Sequence, residues 1–159
     1  MPHEFHRTHF ALTVQATPMQ VAAIHRSGPR EPIVFLHGFG STKEEYADIV
    51  RHAAFDGRPF LAYDAPGCGE TECANLQKIS IPFLVETALA LIDQLGFQRF
   101  HLVGHSMGGL TALMLAHAHP ERVLSFVDIE GNIAPEDCFL SRQAVDYPDG
   151  NDEQFFTDF

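Results

Sequence analysis

Residues 100–110 read Phe-His-Leu-Val-Gly-His-Ser-Met-Gly-Gly-Leu, an apolar run that leads into a glycine-rich turn. The apolar run predicts a strand, and residues 109–119 have the composition of a helix. Ser106 falls in the turn between them, with Gly104 and Gly108 on either side. So short a turn strains the serine backbone, and only small neighbours let the strand and helix approach. The sequence therefore predicts a serine hydroxyl held at the carboxyl end of a strand.

The chain on both sides of this turn alternates between short apolar runs and longer amphipathic stretches. Short apolar runs are typical of strands that are buried on both faces of a parallel sheet. They predict strands at residues 32–36, 59–63, 100–103 and 123–129, and the longer stretches predict helices at residues 42–54, 80–95 and 109–119. This alternation predicts an α/β fold with a mostly parallel sheet and helices on both faces.

The beginning of the chain has a different pattern. Residues 5–16 and 21–25 predict two strands, and Thr17 and Pro18 between them predict the turn. We therefore expect an opening β-hairpin before the alternating elements begin.

The composition argues against several classes of protein. With 159 residues the chain is expected to form one domain, and its net charge of −11 argues against a nucleic acid or an anionic membrane surface as partner. No apolar run approaches the roughly 18 residues of a membrane-spanning helix. The three cysteines lack the spacing of a disulfide framework, and residues 1–7 contain no apolar leader segment. We therefore expect free thiols and a cytoplasmic location.

Two further glycine-containing motifs precede the serine turn. The sequence His-Gly-Phe-Gly at residues 37–40 follows one predicted buried strand, and Asp-x-Pro-Gly-x-Gly-x-Thr at residues 64–71 follows the next. In this order, and with Gly-x-Ser-x-Gly at residues 104–108, they resemble the serine hydrolase branch of the α/β-hydrolase fold superfamily. The resemblance covers roughly residues 5–131.

The resemblance implies a role for most of the residues in these motifs. Ser106 would be the nucleophile of a nucleophile elbow, and the backbone amides of Phe39 and Met107 would form the oxyanion hole. A serine at this position disfavours the haloalkane dehalogenase and epoxide hydrolase branches, whose nucleophile is an aspartate. The remaining motif residues would be structural, and they are His37, Gly38, Asp64, Gly104, His105 and Gly108.

The resemblance also implies an acid on the same edge of the sheet as Ser106. Glu130 directly follows the last predicted strand, at the edge where active sites of open α/β sheets form. Asp128 would point to the same side but lie deeper in the strand. Glu130 is therefore the candidate acid, and the alternatives are Asp128 and a residue that is not in this chain.

The base has no candidate in the sequence. The family order is serine, acid and then histidine, and none of the ten histidines follows His119. The alternating pattern also ends near residue 131, before the two further strands that the resemblance implies. We therefore expect residues 1–131 to be the N-terminal part of a hydrolase core, with its C-terminal strands missing, and residues 132–159 to begin an incomplete cap. The last strand would have an open edge, available to a second copy or to a complementing chain.

These features predict a serine-dependent hydrolase of carboxylic esters, thioesters or related carbonyl compounds, including C–C bond substrates, that forms an acyl-enzyme. The expected partner is a small acyl substrate, with no metal ion and no cofactor. Residues 1–159 alone should be almost inactive, because they lack an evident base. The alternative is a non-catalytic ligand-binding or interaction protein on a hydrolase scaffold.

Overall fold

The computed structural model describes residues 4–139, 142–143 and 146–147. The strands in this part of the chain are His6–Val14 (β1), Thr17–Arg26 (β2), Ile33–Leu36 (β3), Phe60–Tyr63 (β4), Glu72–Cys73 (β5), Phe100–His105 (β6) and Val123–Ile129 (β7). Helix α1 comprises Ile81–Gln94, and helix α2 comprises Met107–Ala118. No helix within the described ranges is both long and apolar enough to cross a membrane.

The strands form one mixed sheet in the order β1-β2-β4-β3-β6-β7, and β5 pairs with β2. β3 lies parallel to both β4 and β6, and β6 lies parallel to β7. β1 and β2 form an antiparallel hairpin, and this hairpin joins the rest of the sheet through antiparallel pairing of β2 with β4. The α/β fold with a mostly parallel sheet and an opening hairpin is therefore confirmed, and the carboxyl ends of four parallel strands meet at one edge.

Both faces of the sheet are covered by apolar side chains. One face packs against α1 and α2, through buried residues that include Val34, Leu61, Leu91, Leu102 and Leu115. The opposite face is covered by residues of short 3-10 helices, and its buried cluster includes Phe35, Tyr46, Val50 and Phe60. Complete burial of each such side chain stabilises the fold by about 1.5–3 kcal/mol.

The prediction of one continuous helix at residues 42–54 is wrong. The structure has separate 3-10 helices there, which are Lys43–Tyr46, Ile49–Arg51 and Ala53–Phe55. His52 interrupts the helical path with an extended backbone (φ −67°, ψ 141°), and its Nδ1 accepts a hydrogen bond from the N–H of Ala54. A local bond between a side chain and the backbone competes with the helical ladder, so no continuous helix forms.

The turn predicted at Thr17 and Pro18 is also wrong. Both residues belong to β2, where they pair with Val14 and Thr13. The chain reverses instead at Gln15 and Ala16, whose φ angles are 47° and 59°. A two-residue turn with positive φ at both positions matches the right-handed twist of the strands, and this geometric fit places the turn.

The helix predicted at residues 80–95 is confirmed as α1. Ser80 is its N-cap, with Oγ accepting a hydrogen bond from the N–H of Phe83 at 3.4 Å, and Pro82 lies in the first turn. Gly96 follows the helix with φ at 72°, a conformation that glycine adopts without strain. The local signals at both ends of this helix thus agree with its packing.

The outer edge of β7 pairs with no strand in the part of the chain that the structure describes. On the face away from α2, Val127 and Ile129 are 50% and 42% exposed. Association of a second copy or a complementing chain with this edge stays a prediction. Most of the predicted cap at residues 132–159 lies outside the described residues, which include its 3-10 helix Pro135–Cys138.

His25 on β2 makes the stability of the fold sensitive to acid. Its half-buried ring lies between the rings of His6 and Phe10, with both centroids 5.5 Å away, and its Nε2 is 3.2 Å from Thr8 Oγ1. Burial, and secondarily the charge of His6, lowers the pKa of His25 below its ordinary value of 6.5. On acidification, His25 of the unfolded chain takes up a proton at a higher pH than His25 of the folded chain does. The free energy of unfolding therefore falls as the pH drops through about 6.5 towards the lowered pKa.

We expect the melting temperature to fall between about pH 7.5 and about pH 5.5, and to fall less in the variant His25→Gln. His9→Gln is the matched control, because His9 is exposed on the neighbouring strand β1. Differential scanning fluorimetry at the two pH values measures both effects. Equal acid losses in the wild type and in His25→Gln would show that His25 is not responsible.

Candidate active site

Ser106 joins β6 to α2 in a conformation that L-residues rarely adopt, with φ 52° and ψ −119°. The positions two residues before and after it are glycines because backbone atoms fill the space that a side chain would need. A Cβ on Gly104 would lie 2.4 Å from the carbonyl oxygen of Gly108, and a Cβ on Gly108 would lie 2.1 Å from that of Leu36. The close packing of β3, β6 and α2 therefore holds the strained serine at the edge of the sheet.

The hydroxyl of Ser106 donates a hydrogen bond to Oδ1 of Asn132 at 2.7 Å. The N–H of Ser106 donates to the carbonyl of Ile129 at 3.0 Å, and the N–H of Asn132 donates to the carbonyl of Ser106 at 3.3 Å. Asn132 also donates from Nδ2 to the carbonyl of Asp137 at 2.7 Å. No motif selects Asn132 from the sequence, and the available signal was its place just after the same strand end as Glu130.

The loop at residues 37–40 packs directly on the serine turn. A Cβ on Gly38 would lie 3.1 Å from the Cβ of Ser106. His37 is buried, and its Nε2 accepts a hydrogen bond from the N–H of Ala65 at 2.9 Å. The proton of the neutral ring must then be on Nδ1, which donates to the carbonyl of Gly38 at 2.7 Å. Because the peptide is planar and trans, this bond turns the N–H of Phe39 in the opposite direction.

The two amides predicted to form the oxyanion hole have no protein acceptor among the described residues. The amide of Phe39 follows the fixed carbonyl of Gly38, and the side chain of Phe39 is 79% exposed. Met107 is the first residue of α2, where the helix dipole favours a negative charge. Neither amide is therefore committed to a hydrogen bond within the described part of the chain.

Asp64 is fully buried just after β4, where its carboxylate binds the 3-10 helix Lys43–Tyr46 and the loop that contains Glu70. Oδ1 accepts from the N–H of Lys43 at 2.7 Å, and Oδ2 accepts from Lys43 Nζ at 2.8 Å and from the N–H of Glu70 at 2.9 Å. Burial acts to lower the pKa of Lys43, but the hydrogen bonds that its ammonium donates to Asp64 and Glu70 outweigh burial, and the pKa is raised. These contacts support a structural role for Asp64.

Both candidate acids lie at the end of β7, beside the serine turn. Glu130 is exposed, has a φ angle of 51°, and makes no hydrogen bond to Ser106 in the described part of the chain. Asp128 faces the start of α2, because a Cβ on Gly109 would lie 2.3 Å from its Oδ1. The structure thus brings two carboxylates to the carboxyl ends of the parallel strands, and neither of them makes a hydrogen bond to Ser106 in the described part of the chain.

His105 lies next to Ser106 but is engaged elsewhere. Its Nδ1 is 2.8 Å from Oε1 of Glu45, and its side chain is 32% exposed. None of the histidines in the described ranges makes a hydrogen bond to the hydroxyl of Ser106. Among the same residues, no group of three histidine, cysteine or carboxylate side chains is placed to hold a metal ion.

Residues 31–159 match the sequence model of a family described as the α/β hydrolase fold. The chain belongs to this family. The strained serine turn, the sheet order and the His-Gly loop agree with that membership, and the resemblance seen in the sequence motifs is confirmed.

Individual relatives are similar over part of their length. The chain is 42% identical over 95 residues to the dihydrolipoyllysine-residue acetyltransferase component of the acetoin cleaving system of Pseudomonas putida, covering 59% of this chain and 25% of that protein. It is 34% identical over 120 residues to the pimeloyl-acyl-carrier protein methyl ester esterase of Aeromonas hydrophila, covering 76% and 44%. The crystal structure of a membrane phospholipase A gives a TM-score of 0.65 at 27% identity, covering 79% and 40%. The chain thus spans less than half the length of the curated relatives it matches.

We expect Lys43→Ala to lower the free energy of unfolding by about 3–5 kcal/mol, because it leaves the buried charge of Asp64 without its partner. Lys78→Ala is the matched control, since Lys78 is exposed and its loss should cost less than about 1 kcal/mol. Urea titration of both variants measures the difference. Similar losses in the two variants would refute the importance of the Lys43 contact.

Proposed function

We propose that the whole protein is a serine hydrolase that cleaves carboxylic esters, thioesters or related carbonyl compounds through an acyl-enzyme. The observation that carries this proposal is the strained turn of Ser106, packed against the loop that contains Gly38. Membership of the α/β-hydrolase family and the similarity to an esterase support hydrolysis as the reaction class.

In the proposed reaction, Ser106 Oγ bonds to the carbonyl carbon of the substrate and its proton passes to a base. The carbonyl oxygen becomes an oxyanion, which we assign to the amides of Phe39 and Met107. Collapse of this intermediate breaks the bond to the leaving group, which takes the proton from the base. Water then attacks the acyl group on Ser106 by the same sequence of steps, which releases the carboxylic acid product and restores the hydroxyl of Ser106.

We assign the acid to Glu130, because it is exposed at the end of β7, next to the strand that leads to Ser106. The base is assigned to a histidine beyond residue 159, since the family order places it after the acid and no described histidine bonds Ser106. The amide of Asn132 cannot accept the proton. Its contact with Ser106 therefore orients the hydroxyl before the base accepts the proton of that hydroxyl.

In the full-length protein, Ser106→Ala should reduce hydrolysis of p-nitrophenyl acetate by about 10⁴–10⁶-fold and abolish labelling by a fluorophosphonate probe, because both need the serine oxygen. Ser125→Ala is the matched control, since Ser125 is an exposed serine on β7 that contacts only His101 in the described hydrogen bonds. Its activity should be unchanged. A wild-type protein that neither hydrolyses the ester nor takes the probe would favour the non-catalytic alternative.

Glu130→Gln should lower kcat by about 10³–10⁴-fold with little change in KM, because the base would lose the carboxylate that orients it. Asp128→Asn is the comparison, and its kcat should change by no more than a few-fold. Steady-state kinetics on the full-length protein decides between them. A large loss of kcat in Asp128→Asn alone would identify Asp128 as the acid. An unchanged kcat in both variants would mean that the acid is a residue outside this chain.

A further inference from the structure

The carboxylate of Glu45 connects the two loops that form the candidate site. Oε2 accepts a hydrogen bond from the hydroxyl of Ser41 at 2.7 Å, and Oε1 lies 2.8 Å from Nδ1 of His105. Ser41 closes the His-Gly loop, and its N–H donates to the carbonyl of Gly38 at 3.2 Å. His105 directly precedes the nucleophile in β6. One side chain therefore contacts both halves of the site.

The contact between Glu45 and His105 is a close approach of a carboxylate oxygen to a ring nitrogen. The geometry at Nδ1 is not that of a hydrogen bond, so the two groups make a close polar contact at 2.8 Å. The same nitrogen would lie 3.3 Å from a Cβ on Gly38, so the ring is held between Glu45 and the His-Gly loop.

Glu45 is presented by a rigid support. It belongs to the 3-10 helix Lys43–Tyr46, and the residues at both ends of this helix are buried. Lys43 binds Asp64 through its N–H and its Nζ, as described above. Tyr46 donates from its hydroxyl to the carbonyl of Leu36 at 3.0 Å and stacks on Phe35 at 4.7 Å. Little conformational freedom is left to lose when the carboxylate makes its two contacts.

We propose that Glu45 is a positioning residue, which holds the loop bearing the Phe39 amide in register with the serine turn bearing the Met107 amide. This inference rests on the proposed function, because it assigns these amides to the oxyanion. An oxyanion hole requires donors about 2.7–3.1 Å from the developing charge, and a shift of about 1 Å can cost up to about 100-fold in rate. The carboxylate limits such a shift, since it hydrogen-bonds Ser41 of the loop and contacts His105 beside the serine turn.

The test compares Glu45→Ala with Glu44→Ala in the full-length protein. Glu44 is the adjacent residue on the same helix, and its carboxylate pairs with Arg7 on β1 and lies 3.9 Å from Lys43 Nζ, whereas the described contacts with Ser41 and His105 belong to Glu45. Glu45→Ala should lower kcat for p-nitrophenyl acetate by about tenfold with KM within about twofold, whereas Glu44→Ala should leave both unchanged. Glu45→Gln should recover part of kcat, because its amide oxygen can still accept from Ser41.

Amide hydrogen exchange at residues 38–41 gives a second readout that does not depend on activity. Exchange there should be faster in Glu45→Ala than in Glu44→Ala, because the loop has lost its tie to His105. Equal exchange in the two variants would overturn the tie, and faster exchange with unchanged kcat would overturn its catalytic role. A wild-type protein without esterase activity would defeat the proposed function together with the catalytic part of this inference, while exchange would still decide whether Glu45 holds the loop.

Discussion

Gly108 lies so close to the backbone of Leu36 that no side chain fits between them, and this contact brings β3, β6 and α2 together. The strained conformation of Ser106 depends on it, because such a conformation costs about 1–3 kcal/mol and persists only where the surroundings hold it. Hydrogen bonds to Ile129 and Asn132 complete that support. The position of the serine hydroxyl is thus a consequence of backbone packing, with side chains adding only the last contacts.

The buried pair of Asp64 and Lys43 fixes the other side of the site. Taking two charges out of water is expensive, so such a pair contributes little net stability compared with an apolar pair of the same size. Its geometry is more specific than apolar packing, because the carboxylate also binds the N–H groups of Lys43 and Glu70. It therefore fixes the start of the 3-10 helix that carries Glu45, and the contacts of Glu45 connect that helix to the nucleophile.

The local patterns predicted most of the fold and the identity of the motif residues. Strands and the capped helix α1 were predictable because short apolar runs, an N-cap serine and a terminal glycine act within a few residues. The segment around His52 was not, since its break into 3-10 helices depends on a side-chain bond to the backbone that no periodicity records. The hairpin turn was misplaced because Thr17 and Pro18 have turn propensity, whereas the pairing of β1 with β2 decides the register.

The fold family and the turn that carries the serine were predictable from local patterns, because glycine spacing and apolar periodicity record steric requirements between neighbours in the chain. The side chains that surround that serine were not predictable, because they come from distant parts of the chain. Asn132 bonds Ser106 from 26 residues away, and Glu45 reaches His105 from another element altogether. Contacts of this kind depend on the order of strands and on the path of loops over the sheet edge, and no local pattern in the sequence specifies either of them.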